Sequence, residues 1–214
     1  MVDDRTAEKA RELLGDLDMP VRLIVFTQEL ECTYCQQNVE LVTDIAGLSD
    51  KISHEVHEFE KSEELSRKYG VDKIPAIVVT ADGKDYGIRF FGIPSGYEFV
   101  SLLDALRTVS TGKHELSGDT VSKIQALDKP VHIQVFVTPT CPYCPKSVVL
   151  AHRLAYVSKQ ITSDMVEAIE FPHLAQKYSV AGVPRSVIND GHFIEGAVPE
   201  QTYVQRILDA VSGT

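Results

Sequence analysis

The sequence predicts an α/β protein made of two tandem units, each with a central mixed β-sheet flanked by helices. The first observation behind this prediction is an internal repeat, because the pair Cys32 and Cys35 recurs in the second half of the chain as Cys141 and Cys144. The second is the order of apolar patterns within each copy, where continuous runs typical of buried strands alternate with stretches of helical period. Strands that alternate with helices favour right-handed crossovers and a sheet covered on both faces.

The repeat extends well beyond the cysteines. Pro75 and Pro184 are separated by the same offset as the cysteine pairs, and so are the tetrapeptides KYGV and KYSV. Upstream, the heptapeptide PVRLIVF matches PVHIQVF at an offset that is longer by a single position. Two copies of one unit of roughly a hundred residues therefore account for the length of the chain.

The two units meet in the polar segment 110–119, where the apolar periodicity lapses. We place the boundary near Gly118, which gives an N-terminal unit of residues 1–118 with a CTYC site and a C-terminal unit of residues 119–214 with a CPYC site. A linker this short disfavours units that move fully independently.

Each copy predicts the same order of elements. An opening helix leads into a buried strand, and a helix follows the cysteine pair. A second strand, a short helix, a strand after the repeated proline, a hairpin strand and a closing helix complete the unit. We predict the opening helix at 4–17 in the first copy and 120–127 in the second, and the second strand at 52–59 and 165–171. The strand after the proline is predicted at 76–80 and 185–188, and the closing helix at 96–109 and 200–211.

The charge balance excludes several classes of function. The chain has 31 acidic and 21 basic residues and a formal net charge of -10, whereas a nucleic-acid surface needs clustered lysine and arginine. No run of about 18 apolar residues predicts a membrane span, and the polar, acidic N-terminus lacks the features of a secretory signal. We therefore expect a cytoplasmic protein with no nucleic-acid or membrane partner. In that compartment a CxxC pair is more often catalytic or metal-binding than structural.

The cysteine pairs carry the chemistry that the sequence predicts. Each pair follows a predicted buried strand and opens a predicted helix, where free N–H groups and the helix dipole favour a thiolate on the first cysteine. A thiolate attacks disulfides, and the second cysteine, about one turn further on, can resolve the mixed disulfide that forms. We therefore assign Cys32 and Cys141 as nucleophiles. Cys35 and Cys144 are assigned as resolving thiols, and each pair is expected to form its own disulfide.

The residues between the cysteines predict that the two centres differ. Pro142 lacks an N–H group, a loss that is harmless in a first helical turn, and Pro145 is tolerated there for the same reason. Thr33 and Tyr34 leave the first pair with a freer backbone and one more donor. Two couples of differing reduction potential could divide the tasks of a disulfide isomerase, one supplying an oxidant and the other a reductant.

A repeated proline is the second candidate feature of each site. Pro75 and Pro184 each stand at the same distance after the nucleophile of their own unit and directly before a predicted strand. A lone proline in this position is most simply a strand-edge residue, since it cannot donate to the ladder. Two prolines at the same distance from two CxxC pairs instead favour a shared function.

These motifs resemble a known family. The CPYC sequence, with Val183-Pro184 downstream, looks like the glutaredoxin branch of the thioredoxin superfamily. Two such units in one chain resemble the protein disulfide oxidoreductases of thermophilic archaea and bacteria, over nearly the whole length. The resemblance implies a thioredoxin fold in each unit and cis prolines at 75 and 184 that face the CxxC pairs. Ile74 and Val183 would then pair in β fashion with a bound polypeptide. The resemblance also implies protein substrates and a flavin-dependent thioredoxin reductase as electron donor, and we expect no cofactor.

Other site residues follow with alternatives that remain open. Tyr34 and Tyr143 precede the resolving cysteines and are expected to line the substrate groove, unless they are simply solvent-facing aromatics. Thioredoxins carry a buried acid on the strand before the CxxC, but Phe26 and Val135 stand at the corresponding positions here. Candidate proton acceptors, if they are not merely solvated acids, are Glu58 and Glu170 in two EF dipeptides.

Two further classes of function compete with the enzyme. Structural zinc binds four thiolates, but a zinc ribbon has its CxxC pairs much closer together in sequence than Cys35 and Cys141 are here. The seven histidines show no zinc spacing with the cysteines, and we expect no metal. The second alternative is an interaction scaffold with inert structural disulfides. Such disulfides would stabilise the fold little, because a CxxC loop constrains few residues of the unfolded chain.

Overall fold

The order of elements is nearly the same in the two halves of the chain, as the computed structural model shows for residues 3–212. The N-terminal half contains α1 (Asp4–Leu13), β1 (Val21–Thr27), α2 (Cys35–Ala46), β2 (Ile52–Glu58), α3 (Glu63–Tyr69), β3 (Ala76–Ala81), β4 (Lys84–Phe91) and α4 (Phe99–Thr111). The C-terminal half contains α5 (Gly118–Gln125), β5 (Val131–Val137), α6 (Cys144–Val157), β6 (Ile161–Glu167), α7 (Pro172–Lys177), β7 (Arg185–Ile188), β8 (His192–Glu195) and α8 (Glu200–Ser212).

The central strands are apolar on both faces because helices cover both sides of the sheet. In β1, Leu23 and Val25 point into the larger core under α2, α4 and α6, whereas Ile24 and Phe26 point into a second core under α3 and α7. Successive side chains of a strand alternate between faces, so a continuous apolar run fills both cores. The predicted α/β class and the mixed sheet of each unit are confirmed.

The two sheets are joined into one. The eight strands follow the order β2-β1-β3-β4-β6-β5-β7-β8, and β4 runs parallel to β6 across the seam between the units. Phe90 lies opposite Met165 in this register, and both side chains are fully buried. The prediction that the units do not move independently therefore has a physical basis, since they share a hydrogen-bonded sheet and the larger core.

A glycine permits the close approach of the strands at the start of this seam. Gly87 in β4 has a φ of 74°, in the left-handed region. A Cβ atom there would lie 2.6 Å from the carbonyl oxygen of Ile161, which is shorter than side chains tolerate. Any other residue at position 87 would push β6 away from β4.

Several predicted bounds shift in the structure. The second strand of the C-terminal unit is Ile161–Glu167 rather than 165–171, because residues 168–170 form a turn before α7. The closing helix α4 begins at Phe99, after a 3-10 turn at Gly96–Glu98. The opening helix α1 ends at Leu13, about one turn early. Near the proposed boundary, Ser117 caps α5, which begins at Gly118.

No helix within residues 3–212 is long and apolar enough to cross a membrane.

Candidate active site

Each cysteine pair lies between the end of a buried strand and the start of the following helix. The structure joins Cys32 to Cys35 and Cys141 to Cys144 in two disulfides, each with a Cα–Cα distance of 5.5 Å. The helices begin at the second cysteine of each pair, so the first cysteine precedes the helix rather than occupying its first turn. Pro145 falls at the start of α6, where no N–H is required.

The two sulfurs of each pair differ in accessibility. Cys35 and Cys144 are buried, with relative exposures of 1% and 0%. Cys141 is 8% exposed, and Cys32 is half-buried. Only the first cysteine of each pair is therefore open to an external disulfide, which agrees with the assignment of Cys32 and Cys141 as nucleophiles.

Two backbone groups flank the sulfur of Cys141. The N–H of Cys144 donates to Sγ of Cys141 at 3.2 Å, and the carbonyl oxygen of Val183 lies 3.7 Å from the same sulfur. A helix N-terminal N–H that points at a sulfur stabilises negative charge there after reduction. The carbonyl marks the place where the loop before Pro184 reaches the redox centre.

Both repeated prolines follow cis peptide bonds, Ile74–Pro75 and Val183–Pro184. Each proline is buried, and its carbonyl accepts from a glycine on the neighbouring chain segment: Gly92 donates to Pro75 at 2.9 Å and Gly196 donates to Pro184 at 2.8 Å. These bonds fix the prolines at the start of β3 and β7. Val183 therefore presents its backbone beside Cys141.

The tyrosines at the two centres are both accessible. Tyr34 is 36% exposed and Tyr143 is 64% exposed, and each directly precedes the helix that begins at the resolving cysteine. Their expected role in the substrate groove remains a prediction.

The two acids in the EF dipeptides occupy different environments. Glu58 ends β2 opposite Thr27 and forms an exposed ion pair with Lys61. Glu170 lies in the turn after β6, where burial raises its pKa to about 7 and the N–H of Ile93 donates to its carboxylate at 2.7 Å. Because Glu167 ends β6 as Glu58 ends β2, Glu167 and not Glu170 is the structural counterpart of Glu58. The two predicted acids are therefore not equivalent, and a proton-transfer role for either remains a prediction.

A buried acid of the N-terminal unit lies beside the C-terminal centre. Glu98 is 1% exposed, burial raises its pKa to about 7, and Ser101 donates to its carboxylate at 2.6 Å. The adjacent Tyr97 N–H donates to the carbonyl of Pro139 at 3.0 Å, just before Cys141. Sequence reasoning missed Glu98, since its only local signal is one acid at the start of a helix and the neighbours that bury it include the other unit.

Glycine is required at this contact as well. Gly96 has a φ of 60°, and a Cβ atom there would lie 2.3 Å from the carbonyl oxygen of Pro139. The turn that carries Tyr97 and Glu98 therefore packs directly on the loop before the CPYC motif. The C-terminal centre is built from both units.

The surfaces around the two centres differ in charge. A shallow pocket beside the CTYC motif has a volume of about 360 Å³, and its lining includes Leu30, Lys61 and four carboxylates, which we call the acidic rim: Glu29, Glu31, Glu58 and Glu60. At the CPYC end of the sheet, three exposed apolar side chains form what we call the apolar rim: Tyr97, Tyr143 and Ile169, at 51%, 64% and 65% exposure.

Across residues 3–212, no group of three or more His, Cys, Asp or Glu side chains is arranged to hold a metal ion. The four cysteines lie in two separate pairs rather than around one point.

Comparisons with known proteins agree with this geometry. A family model described as a thioredoxin domain matches residues 21–104 and 131–209, one segment in each unit. A protein disulfide oxidoreductase from Aeropyrum pernix K1 superposes with a TM-score of 0.92 and 29% identity, over 100% of this chain and 95% of that chain. The NTD_N/C domain of the alkyl hydroperoxide reductase AhpF from Enterococcus faecalis gives a TM-score of 0.91 and 26% identity, over 97% and 100% of the two chains.

Curated relatives are longer proteins. The alkyl hydroperoxide reductase AhpF component of Staphylococcus aureus is 26% identical over 168 residues, which make up 78% of this chain and 30% of that protein. A protein named NADH dehydrogenase from Bacillus subtilis is 27% identical over 156 residues, 73% of this chain and 28% of that protein. This chain therefore spans less than a third of the length of either relative.

The family match covers most of the chain in two segments, and a CxxC disulfide precedes a helix in each of them. The chain belongs to the thioredoxin domain family, and it is a thiol–disulfide oxidoreductase with one CxxC centre in each of its two units.

Proposed function

We propose that this enzyme reduces, oxidises and rearranges disulfides of protein substrates, with Cys141 as the nucleophile of the principal centre. The observation that carries the proposal is the environment of Cys141. Its sulfur receives the Cys144 N–H at 3.2 Å, borders the Val183 carbonyl at 3.7 Å and opens to an apolar surface. A polypeptide needs all three features: a stabilised thiolate, a backbone to pair with and an apolar contact.

The reaction proceeds by two exchanges. The Cys141 thiolate attacks one sulfur of the substrate disulfide, so that a mixed disulfide forms and the second substrate sulfur leaves as a thiolate that takes up a proton. Cys144 then loses its proton and attacks Sγ of Cys141. The substrate leaves as a dithiol, and the Cys141–Cys144 disulfide holds the two oxidising equivalents. The same steps in reverse oxidise a substrate, and Cys32 and Cys35 act in the same way at the other centre.

Buried carboxyl groups near the C-terminal centre support the proton transfers. Burial raises the pKa of Glu98 and of Glu170 to about 7, so both exchange protons near neutral pH. We propose that one of them accepts the proton of Cys144. Glu58, which is paired with Lys61 at the surface, is the corresponding candidate at the other centre.

The substrate chain is proposed to lie along the residues that precede the cis prolines. Ile74 and Val183 are partly buried, and Val183 presents its carbonyl beside Cys141. Tyr143, which is 64% exposed, borders the same opening. An extended peptide would pair with the Val183 backbone while apolar side chains rest on the apolar rim.

A flavin-dependent, thioredoxin reductase-like enzyme is proposed as the electron donor in the cytoplasm. In two curated relatives a region similar to this chain belongs to a longer protein, one named as part of an alkyl hydroperoxide reductase and one named NADH dehydrogenase. A reductase of this kind would reduce the cysteine pairs of this chain.

Insulin reduction with dithiothreitol tests the proposal. The intact chain and a Cys32→Ser/Cys35→Ser variant are expected to precipitate reduced insulin, because one centre suffices for reduction. Renaturation of scrambled ribonuclease is expected to need both pairs, because isomerisation requires an oxidant and a reductant. Failure of the intact chain to accelerate insulin reduction would refute the protein-substrate proposal. If either double-serine variant renatured ribonuclease as fast as the intact chain, the division of tasks would be wrong.

A further inference from the structure

A buried polar side chain lies one helical turn after the resolving cysteine in both units. Asn38 follows Cys35 by three residues in α2, and Ser147 follows Cys144 by three residues in α6. Asn38 is 0% exposed and Ser147 is 2% exposed. The two positions are equivalent in the repeat, since they are separated by the same offset as the cysteines themselves.

Neither side chain has a hydrogen-bond partner within the described part of the chain. Both polar atoms of the Asn38 amide and the Ser147 hydroxyl are buried and unpaired while the disulfides are closed. The Asn38 backbone bond to Tyr34 is intact at 3.0 Å, so the side chain is not needed to cap the helix. A fully buried, unsatisfied amide destabilises a fold, and such groups in native proteins call for a reason.

Helix geometry directs both side chains at the redox centres. Residues at i and i+3 are neighbours on a helix surface, and side chains lean toward the N-terminus, over the preceding turn. The preceding turn here carries Cys35 in α2 and Cys144 in α6. The i, i+3 spacing therefore directs the amide of Asn38 and the hydroxyl of Ser147 toward the turns that carry the resolving sulfurs.

We propose that Asn38 and Ser147 are positioning residues that donate a hydrogen bond to the resolving sulfur in the reduced state only. Reduction breaks the S–S bond, and two electrons and two protons from an external dithiol convert the pair to thiols. The freed sulfur of Cys35 or Cys144 moves away from its former partner and accepts the bond that the disulfide sulfur does not accept. The unpaired group of the oxidised protein becomes paired on reduction, which favours the dithiol and raises the reduction potential.

The two residues differ in reach and in donor number, since an amide offers two N–H donors and a hydroxyl offers one. Asn38 therefore raises the potential of the CTYC centre by more than Ser147 raises that of the CPYC centre. The inference rests on the proposed function only in that both pairs undergo redox exchange, and it needs no protein substrate.

The test measures each potential by equilibration of the full chain with glutathione. The CTYC centre is read in a Cys141→Ser/Cys144→Ser background, and the CPYC centre is read in a Cys32→Ser/Cys35→Ser background. Asn38→Leu, which keeps the size and removes the donors, is expected to lower the equilibrium constant for reduction about tenfold, or about 30 mV. Ser147→Ala is expected to lower it about threefold at the other centre.

Stability separates this role from a structural one. Asn38→Leu removes an unpaired buried amide, so the oxidised variant is expected to unfold at the same temperature as the parent or higher. Ser163→Ala is the matched control, because Ser163 is another buried, unpaired hydroxyl, on β6 rather than on either cysteine helix. The control is expected to leave both potentials unchanged.

Two outcomes overturn the inference. The first is an unchanged glutathione equilibrium in folded Asn38→Leu and Ser147→Ala; if Asn38→Leu does not fold, Asn38→Ala, which also removes the donors, replaces it. The second is a shift of either potential in Ser163→Ala as large as those in the test variants. If the intact chain fails to reduce insulin while Asn38→Leu and Ser147→Ala shift the potentials as expected, the result counts against the proposed function and not against this role.

Discussion

The surface near Cys32 carries the carboxylates of the acidic rim, whereas the surface near Cys141 carries the exposed tyrosine and isoleucine side chains of the apolar rim. The two centres share a strand, a CxxC disulfide, a helix and a cis proline at equivalent positions. They differ in the charge of the surrounding surface, although an exposed tyrosine precedes the resolving cysteine at both centres. The copies therefore share the arrangement of the cysteines and differ in the charge of the surfaces around them, from which we expect the N-terminal centre to favour a cationic partner and the C-terminal centre an apolar polypeptide.

The difference extends to proton-holding groups. Glu98 and Glu167 are buried and Glu170 is partly buried near the seam between the units, and desolvation raises the pKa of each. At the structurally equivalent strand end of the other unit, Glu58 is paired with Lys61 at the surface. Glu98 belongs to the N-terminal unit, and the turn that carries it packs on the loop before Cys141.

The largest effect expected from this comparison is the fall in the rate of insulin reduction when one nucleophile is removed. Cys141→Ser should lower the rate of insulin reduction by about 100-fold or more, because a serine hydroxyl is not ionised at neutral pH and cannot replace a thiolate. Cys32→Ser, the matched variant, should lower it much less, because the acidic rim disfavours both a thiolate and an apolar substrate. Near-full activity of Cys141→Ser in the insulin assay would assign the principal role to the N-terminal centre.

A second effect concerns stability and pH. Burial raises the pKa of Glu98 from 4.5 to about 7, so between these values the folded protein holds a proton that the unfolded chain has lost. The free energy of unfolding should therefore fall as pH rises through this window and then level off, with a contribution from Glu98 of about 3 kcal/mol. Glu98→Gln should remove that part of the decline, as measured by urea unfolding between pH 5 and pH 8.

The matched control is Glu8→Gln, which changes an exposed acid on α1. It should leave the pH dependence of unfolding as it is in the parent. A decline that persists unchanged in Glu98→Gln would show that other groups, of which Glu170 is the first candidate, hold the proton.

The smallest effect concerns the charge at the CTYC centre. With the Cys141/Cys144 pair changed to serine, this centre should react faster with cystamine, a cationic disulfide, than with the anionic disulfide of glutathione. Changing Glu29, Glu31 and Glu60 together to glutamine should reduce that preference about threefold at low ionic strength, since surface charges act over about 10 Å. The preference should also disappear at high salt, and a salt-independent ratio would exclude the acidic rim as its cause.

Local patterns in the sequence were enough to predict the repeated parts of the molecule. The CxxC pairs, the buried strands before them and the prolines all recur at a nearly fixed offset, and a repeat is visible without any knowledge of contacts. The thioredoxin family and the exchange chemistry follow from those same positions, and both are confirmed.

The parts that sequence reasoning missed depend on contacts between the units. The pairing of β4 with β6 joins two strands that belong to different copies of the repeat, and the sequence of neither strand indicates which strand it pairs with. Glu98 has no counterpart in the repeat, and the turn that carries it packs on the loop before Cys141 in the other unit. The match between the EF dipeptides suggested that Glu58 and Glu170 are equivalent, but the strand registers, in which Glu58 lies opposite Thr27 and Glu167 opposite Val137, make Glu167 the counterpart of Glu58.

The parallel seam between β4 and β6 is a head-to-tail joint. In the repeat, β6 is the counterpart of β2 and β8 is the counterpart of β4. The outer strands β2 and β8 are therefore equivalent to the two strands, β6 and β4, that pair at the seam. A contact of this kind does not close on itself, and repeated between chains it would build an open-ended filament. The outer edges counter this, since β8 is half the length of β4 and β2 carries the polar sequence ISHEVHE. Pairing of the two units thus uses a joint that further chains would extend, and the short β8 and the polar β2 disfavour such pairing between chains.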